Sequence, residues 1–234
     1  METQSKVWYV TGASEGLGLN LVKQLLAAGH KVAATSKNAA DLRNSLGPAT
    51  LNFLPLELNL SSENSIDASL RATAARFGKV DFIVNNPDCP LEISFDQLSD
   101  KQARAVFETN IFGMMNVIRI GMPYLRKNGA GHIFNVSAAV SGNGGYHGFS
   151  INSATKFAVA GVSESLAGEA KPFGIHVTVV LPCSFSTVLE QHNDPAKIAA
   201  LMIHKASEEN PPLYLVPGRH ANGDAIYRKD KWPV

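Results

Sequence analysis

The stretch TGASEGLG (Thr11–Gly18) decides how the rest of the chain is read. It follows an apolar run, VWYV (7–10), and leads into LGLNLVKQLLAAG (17–29), whose apolar residues recur at helical spacing and which closes on Gly29. A strand that turns through glycines into a helix uses Gly12 for a tight turn and Gly16 to let a pyrophosphate approach the backbone. Gly18 then allows the helix to pack closely. The helix N-terminus presents free N–H groups and a partial positive charge to a phosphate. The competing reading is a purely structural turn, because glycine turns are common; the strand-turn-helix setting favours dinucleotide binding.

Outward from this turn, strand-like runs alternate with helix-period segments. KVAATS (31–36) and LNFLPLEL (51–58) read as the second and third strands, and SSENSIDASLRATAARFG (61–78) as a serine-capped helix ending on a glycine. VDFIVNN (80–86) is the fourth strand, and a long helix is predicted from about Asp100 to Arg126. GHIFNVSA (131–138) and IHVTVVLP (175–182) are strands flanking another helix, and AKIAALMIHKASEE (196–209) is a last helix before LYLVPG (213–218). Strands apolar on both faces, alternating with helices, predict an α/β fold. It is a single Rossmann-type doubly wound parallel sheet of about seven strands with helices on both faces. No repeat, low-complexity tract or linker interrupts it, so one domain over residues 1–234 is expected.

Composition narrows the partners. The formal charge is +1, from 21 basic and 20 acidic residues, so no field favours nucleic acid or an anionic membrane surface. No apolar run approaches the roughly 18 residues that span a bilayer. METQSKVWYVTG lacks a signal-peptide layout, and the two cysteines, Cys89 and Cys183, form no disulfide framework or metal site by spacing. A reduced, cytoplasmic setting is the expectation.

The spacing T-G-x-x-x-G-x-G resembles that of the short-chain dehydrogenase/reductase family, and the similarity continues in order along the chain. NNPD (85–88) stands where the family usually has N-N-A-G, Asn110 in FETNIFG (107–113) matches its helix asparagine, and NVSA (135–138) stands where N-x-S-S is usual. Lys156 matches its lysine, and PCSFST (182–187) stands where P-G-x-x-x-T is usual. The resemblance implies a nicotinamide dinucleotide held at Gly12, Ser14, Glu15, Gly16, Leu17 and Gly18, at Asn59, Leu60 and Asn86, and at Lys156 and Thr187. In the family an acidic residue ending the second strand usually selects NAD. Here Ser36, Lys37 and Asn38 stand there, a cation with two small donors that suits the 2′-phosphate of NADP(H). Glu15 opposes this and keeps NAD possible, because NADP-using relatives often carry a cation there. The bland alternative is that Lys37 and Glu15 are solvated surface charges. Asn59, where an aspartate commonly holds the adenine, can still hydrogen-bond the ring.

At the chemical end, the resemblance implies a tyrosine that exchanges a proton with the substrate oxygen, a lysine that holds the nicotinamide ribose and eases the phenol's ionisation, a serine that polarises the substrate, and an asparagine on the proton path. Lys156 and Asn110 are present. Asn152 occupies the tyrosine's place and Ala138 the serine's. Ser137 is the neighbouring hydroxyl and a further catalytic candidate; strand alternation turns it to the other face, so its help requires a shifted register, for which the glycine-rich SGNGG loop (141–145) leaves room. An amide cannot release a proton, and loss of a positioned general acid typically forfeits about 10²–10⁴ in rate. Ordinary carbonyl reduction is therefore expected to be impaired. Tyr146 and His147, in the loop before the helix, are the alternative proton donors, although such loop residues more often serve surface or packing roles.

Pro87 and Asp88, in place of Ala-Gly, and Cys183, in place of glycine, also depart from the family pattern, and the substrate-covering segment is short (about 188–194). Three readings follow. The first is an atypical family member acting on a small organic molecule with NADP(H). The second is a non-redox cyclase, isomerase or lyase on the same fold. The third is a catalytically inactive dinucleotide-binding or partner subunit. The helices around Asn110 and Lys156 carry apolar residues on more than one face, which predicts a homodimer or homotetramer.

Overall fold

The computed structural model describes residues 5–87, 89–138, 147–182 and 194–217. Seven parallel strands form one sheet: β1 (Val7–Val10), β2 (Lys31–Ser36), β3 (Phe53–Glu57), β4 (Phe82–Asn85), β5 (Gly131–Val136), β6 (Ile175–Val180) and β7 (Tyr214–Leu215), in the order β3-β2-β1-β4-β5-β6-β7. The order reverses at β1, so the sheet grows outward in both directions from β1 and β4. This is the doubly wound arrangement, with its crevice at the carboxyl ends of those two strands. β1 is buried along its whole length and β2 from Val32 to Ser36, as the continuous apolar runs require.

Two apolar layers cover the sheet. On one face α1 (Gly16–Ala27), α2 (Ala39–Leu46) and α7 (Pro195–Ala206) contribute Leu21, Leu25, Leu42, Ile198 and Met202. On the other, α3 (Glu63–Phe77), α5 (Met114–Asn128) and α6 (Ser150–Ala170) contribute Ile66, Leu70, Val117, Leu125 and Val159. Ser62 caps α3 through Ser65 N–H, and left-handed Gly78 ends it, as the sequence suggests.

Two elements differ from expectation. α2 is absent from the sequence reading because its eight residues carry only two buried apolar side chains, Ala39 and Leu42. The long helix after Asp100 is not one regular helix. α4 (Asp100–Phe107) passes into a π-helical turn, Glu108–Gly113, which then continues as α5. The backbone stays right-handed helical at Phe107, Glu108, Gly113 and Met114, so periodicity alone does not reveal the widened turn. Among the described residues no helix is long and apolar enough to cross a membrane.

Among the described residues, nothing covers part of the helix surface on the α5–α6 side. Met115, Met122, Val162 and Leu166 line a groove of about 680 Å³ between the two helices. Phe112, Met115 and Phe157 are 50%, 41% and 49% exposed.

His132, in β5, is a buried titratable group within the sheet. His132 stacks on Phe134 with ring centroids 3.9 Å apart, and Trp8 stacks on Phe82 at 4.0 Å. The Thr178 hydroxyl donates to Pro212 O at 2.7 Å, so it accepts from His132 Nε2–H at 2.8 Å, and the ring is neutral. Burial, with the adjacent His176 adding to it, pushes the His132 pKa down to about 3. The unfolded chain therefore binds one more proton than the native state below about pH 6.5. Stability from this group is complete above that pH and falls, by about 1.4 kcal/mol per pH unit, as pH drops toward 3. Urea denaturation across pH 7 to 4 should show a shallower decline for His132→Gln than for the natural chain. Equal slopes would contradict the assignment.

Candidate functional site

The cleft lies at the carboxyl ends of β1, β2 and β4–β6. It encloses about 1020 Å³ and runs from Lys37, Glu57 and Asn59 at one end to Ala138, Asn152 and Lys156 at the other. Its middle is the glycine turn. Gly12 and Gly16 have φ of +59° and +53°, the left-handed region where a side chain is strained. A Cβ on Gly12 would lie 2.0 Å from Asn86 O, and one on Gly18 2.2 Å from Gly12 O. Gly18 is therefore buried packing and acts from beneath the turn. Gly16 differs, because nothing lies within 4 Å of a Cβ placed there, so its backbone faces open cleft. Asn86 closes the turn from β4, with Nδ2 donating to Gly12 O at 2.9 Å and its N–H donating to Thr11 Oγ1 at 3.0 Å.

α1 begins at this turn without a side-chain cap, since Glu15 is extended and makes no capping bond. The N–H groups of the first helical turn therefore open toward the cleft, where Ser14, Glu15, Gly16 and Leu17 form the wall. At the far end Ser36, Lys37, Asn59 and Leu60 line the cleft, as do two carboxylates not singled out from the sequence, Asp41 and Glu57. Ser36 Oγ is already engaged with Asn38, donating to its carbonyl at 2.5 Å and accepting its N–H at 3.2 Å. Asn38 itself is not brought to the cleft. Its Oδ1 accepts Ala40 N–H at 2.9 Å as the cap of α2, the signal that would have located that helix. Asn59 Oδ1 accepts Ser61 N–H at 3.0 Å, which leaves its side-chain N–H₂ toward the opening.

At the other end the structure changes the roles expected of several residues. Lys156, Asn152, Ser153 and Phe149 share one face of α6 and line the cleft with Ser137, Ala138, Pro87 and Pro90. Ser137 and Ala138 both reach it because β5 ends at Val136 and strand alternation stops there. Ser137 Oγ donates to the main-chain oxygen of Lys156 at 3.1 Å, so it braces the helix. Asn110, 2% exposed in the π-turn, is buried behind the wall; its Oδ1 accepts Cys89 N–H at 3.1 Å, and its Nδ2 has no partner among the described residues.

Asn152 is 8% exposed, and both polar atoms of its amide meet one residue: Oδ1 accepts Leu91 N–H at 3.1 Å, and Nδ2 donates to Leu91 O at 2.6 Å. His147 is exposed and is not among the residues that line the cleft. Tyr146, Thr187, Asp88, Cys183 and most of the short covering segment lie outside the described residues; Asp194 caps α7 by accepting Ala196 N–H at 2.8 Å. Among the described residues no cluster of three or more His, Cys, Asp or Glu could hold a metal ion.

Comparison with known proteins places this geometry. The short chain dehydrogenase family profile matches residues 6–197. An oxidoreductase of Botryotinia fuckeliana, BOA17, is 28% identical over 93% of this chain and 90% of its own length. The 3-oxoacyl-[acyl-carrier-protein] reductase FabG of Escherichia coli is 34% identical over 78% of this chain and 74% of its own. A crystal structure of a short-chain dehydrogenase from Streptomyces avermitilis superimposes with a TM-score of 0.83 at 31% identity, covering 92% of this chain and 89% of that one. A 3-ketoacyl-(acyl-carrier-protein) reductase from Brucella melitensis, complexed with NADH, shares the fold with a TM-score of 0.82 at 23% identity, over 92% and 98% of the two chains. The glycine turn, the cleft and the sheet order agree with these matches, and the chain belongs to the short-chain dehydrogenase family.

Proposed function

We propose that the chain binds NADP(H) and acts on a small organic molecule, with ordinary carbonyl reduction impaired. The observation that carries this reading is the pairing of the Asn152 amide with Leu91, beside an otherwise furnished dinucleotide cleft. The cleft fits the cofactor in three respects. Open space above left-handed Gly16 admits a pyrophosphate to the backbone, and the uncapped start of α1 directs N–H groups and a partial positive charge toward it. Asn59 can address the adenine. The Brucella relative holds NADH in the same fold, which supports nicotinamide chemistry in general.

Lys37 would contact the 2′-phosphate, while Glu15, Asp41 and Glu57 line the same end and oppose it. The bound cofactor would supply or accept a hydride. Lys156 would hold the nicotinamide ribose, and Ser137 keeps the helix backbone beneath it in place. Asn152 can neither deliver nor accept the substrate proton, because it does not titrate and both its polar atoms face Leu91. That is the physical source of the impairment.

Titration calorimetry should give tighter binding of NADPH than NADH, because Lys37 is the cation among the residues lining this end and the 2′-phosphate is the group that suits it. Lys37→Glu should reverse the order. Absence of binding by either cofactor at millimolar concentration would remove the nucleotide role.

With NADPH and a panel of activated ketones, the natural chain should turn over slowly. Asn152→Tyr combined with Ala138→Ser should be faster than either single variant, since Lys156 lies one helical turn away and lowers a phenol's pKa from roughly 10. Unchanged rates with cofactor bound would favour a non-redox reaction in the same pocket.

The uncovered α5–α6 groove, with half-exposed Phe112, Met115 and Phe157, supports self-association of the chain. Light scattering should report at least twice the 25.0 kDa chain mass; a species of single-chain mass would refute it.

A further inference from the structure

Four hydrogen bonds tie the segment after β4 to the helices beside the cleft. Cys89 N–H donates to Asn110 Oδ1 at 3.1 Å, Leu91 N–H to Asn152 Oδ1 at 3.1 Å, and Ile93 N–H to Gly148 O at 2.9 Å; Asn152 Nδ2 returns a bond to Leu91 O at 2.6 Å. The donors are alternate residues, so one edge of an extended segment faces the helices, as along the edge of a strand. The Asn152 side chain completes this edge. It exchanges N–H···O and O···H–N bonds with a single residue, the pattern of one hydrogen-bonded pair in an antiparallel ladder. Pro90, between two of the tethered residues, forms part of the cleft wall.

We propose that residues 89–93 form a strap across the substrate end of the cleft and that Asn152 is the positioning residue that fixes it, so that position 152 sets the width of that end. The proposal rests on the cleft being the ligand site, as read above. It adds a role for Asn152 that is not catalysis. The chemistry at 152 is specific. A phenol or an aliphatic side chain cannot both accept from Leu91 N–H and donate to Leu91 O in this geometry, and a carboxylate can only accept. A protonated carboxyl can do both, which supplies a pH-dependent test. An aspartate at 152 ordinarily titrates near 3.9, and burial opposite the Leu91 carbonyl oxygen raises that value.

Residue-resolved hydrogen exchange on the full chain without cofactor reads the strap directly, with Ile133 and Val177 in the sheet as references. Asn152→Ala should lower Leu91 protection by roughly tenfold or more, with Ile93 following and the sheet amides unchanged. Asn152→Asp at pH 8 keeps an acceptor for Leu91 N–H but sets a carboxylate against Leu91 O, so its Leu91 protection should lie between those of the alanine variant and the natural chain, and rise toward the natural chain as the carboxyl protonates on acidification. Equal Leu91 protection in the natural chain and Asn152→Ala, or an aspartate variant that nowhere exceeds the alanine variant between pH 8 and 5, overturns the strap.

The width claim is read from NADPH bound to each protein. Acrylamide should quench the nicotinamide fluorescence more strongly in Asn152→Ala than in the natural chain, and equal quenching overturns that part. If calorimetry shows no dinucleotide binding, the exchange experiment still decides the strap, so the two failures are distinguishable.

Discussion

Three stretches of backbone meet at one point, and the cleft depends on that meeting. The end of β1, the start of α1 and the end of β4 come together where Gly12 leaves no room for a Cβ against Asn86, and Gly18 none against Gly12. A single methyl at either glycine would force main chains apart, since the contacting atoms are backbone and cannot rotate away. The Asn86 amide then locks β4 to the turn by donating to Gly12 O. The turn thus holds Gly16 and the uncapped helix start at the crevice where the strand order reverses.

How much of this was legible in the sequence depended on how far apart the interacting residues lie. Gly12 and Gly18 are six residues apart, and their spacing states the turn. The buried strands are short apolar runs whose bounds the structure shifts by only a residue or two. α2 was missed because two buried residues in eight make no stripe, although Asn38 was in view as a cofactor ligand instead of a cap. The role of Asn152 was out of reach. Its partner, Leu91, is 61 residues away and offers only backbone, which has no sequence signature. Ser137 lies one residue past the end of β5, where strand alternation no longer sets its direction, and its bond to the main chain of Lys156, 19 residues on, had no sequence signature.

Position 152 is tied to the wall of the cleft through both polar atoms of its amide. The lysine that would serve a phenol is still on the same face of α6, one turn on, and the hydroxyl of Ser137 still reaches that helix, through its main chain. Both side-chain bonds of residue 152 go to Leu91. They run sideways to the segment after β4 and not into the cleft. The same helix position that the family resemblance associates with proton transfer here joins two parts of the wall.

The π-helical turn carries a consequence for mechanics. Its Gly113 packs beneath Leu60, where a Cβ would come within 2.8 Å of the leucine's own Cβ, and Leu60 lines the cleft at the end of Asn59 and Lys37. Three residues earlier, Asn110 holds the N–H of Cys89 at the opposite end. Six residues of one rod therefore act as a common footing for both ends of the cleft. A displacement at either end of the cleft meets the same widened turn, through Leu60 on one side and Cys89 on the other.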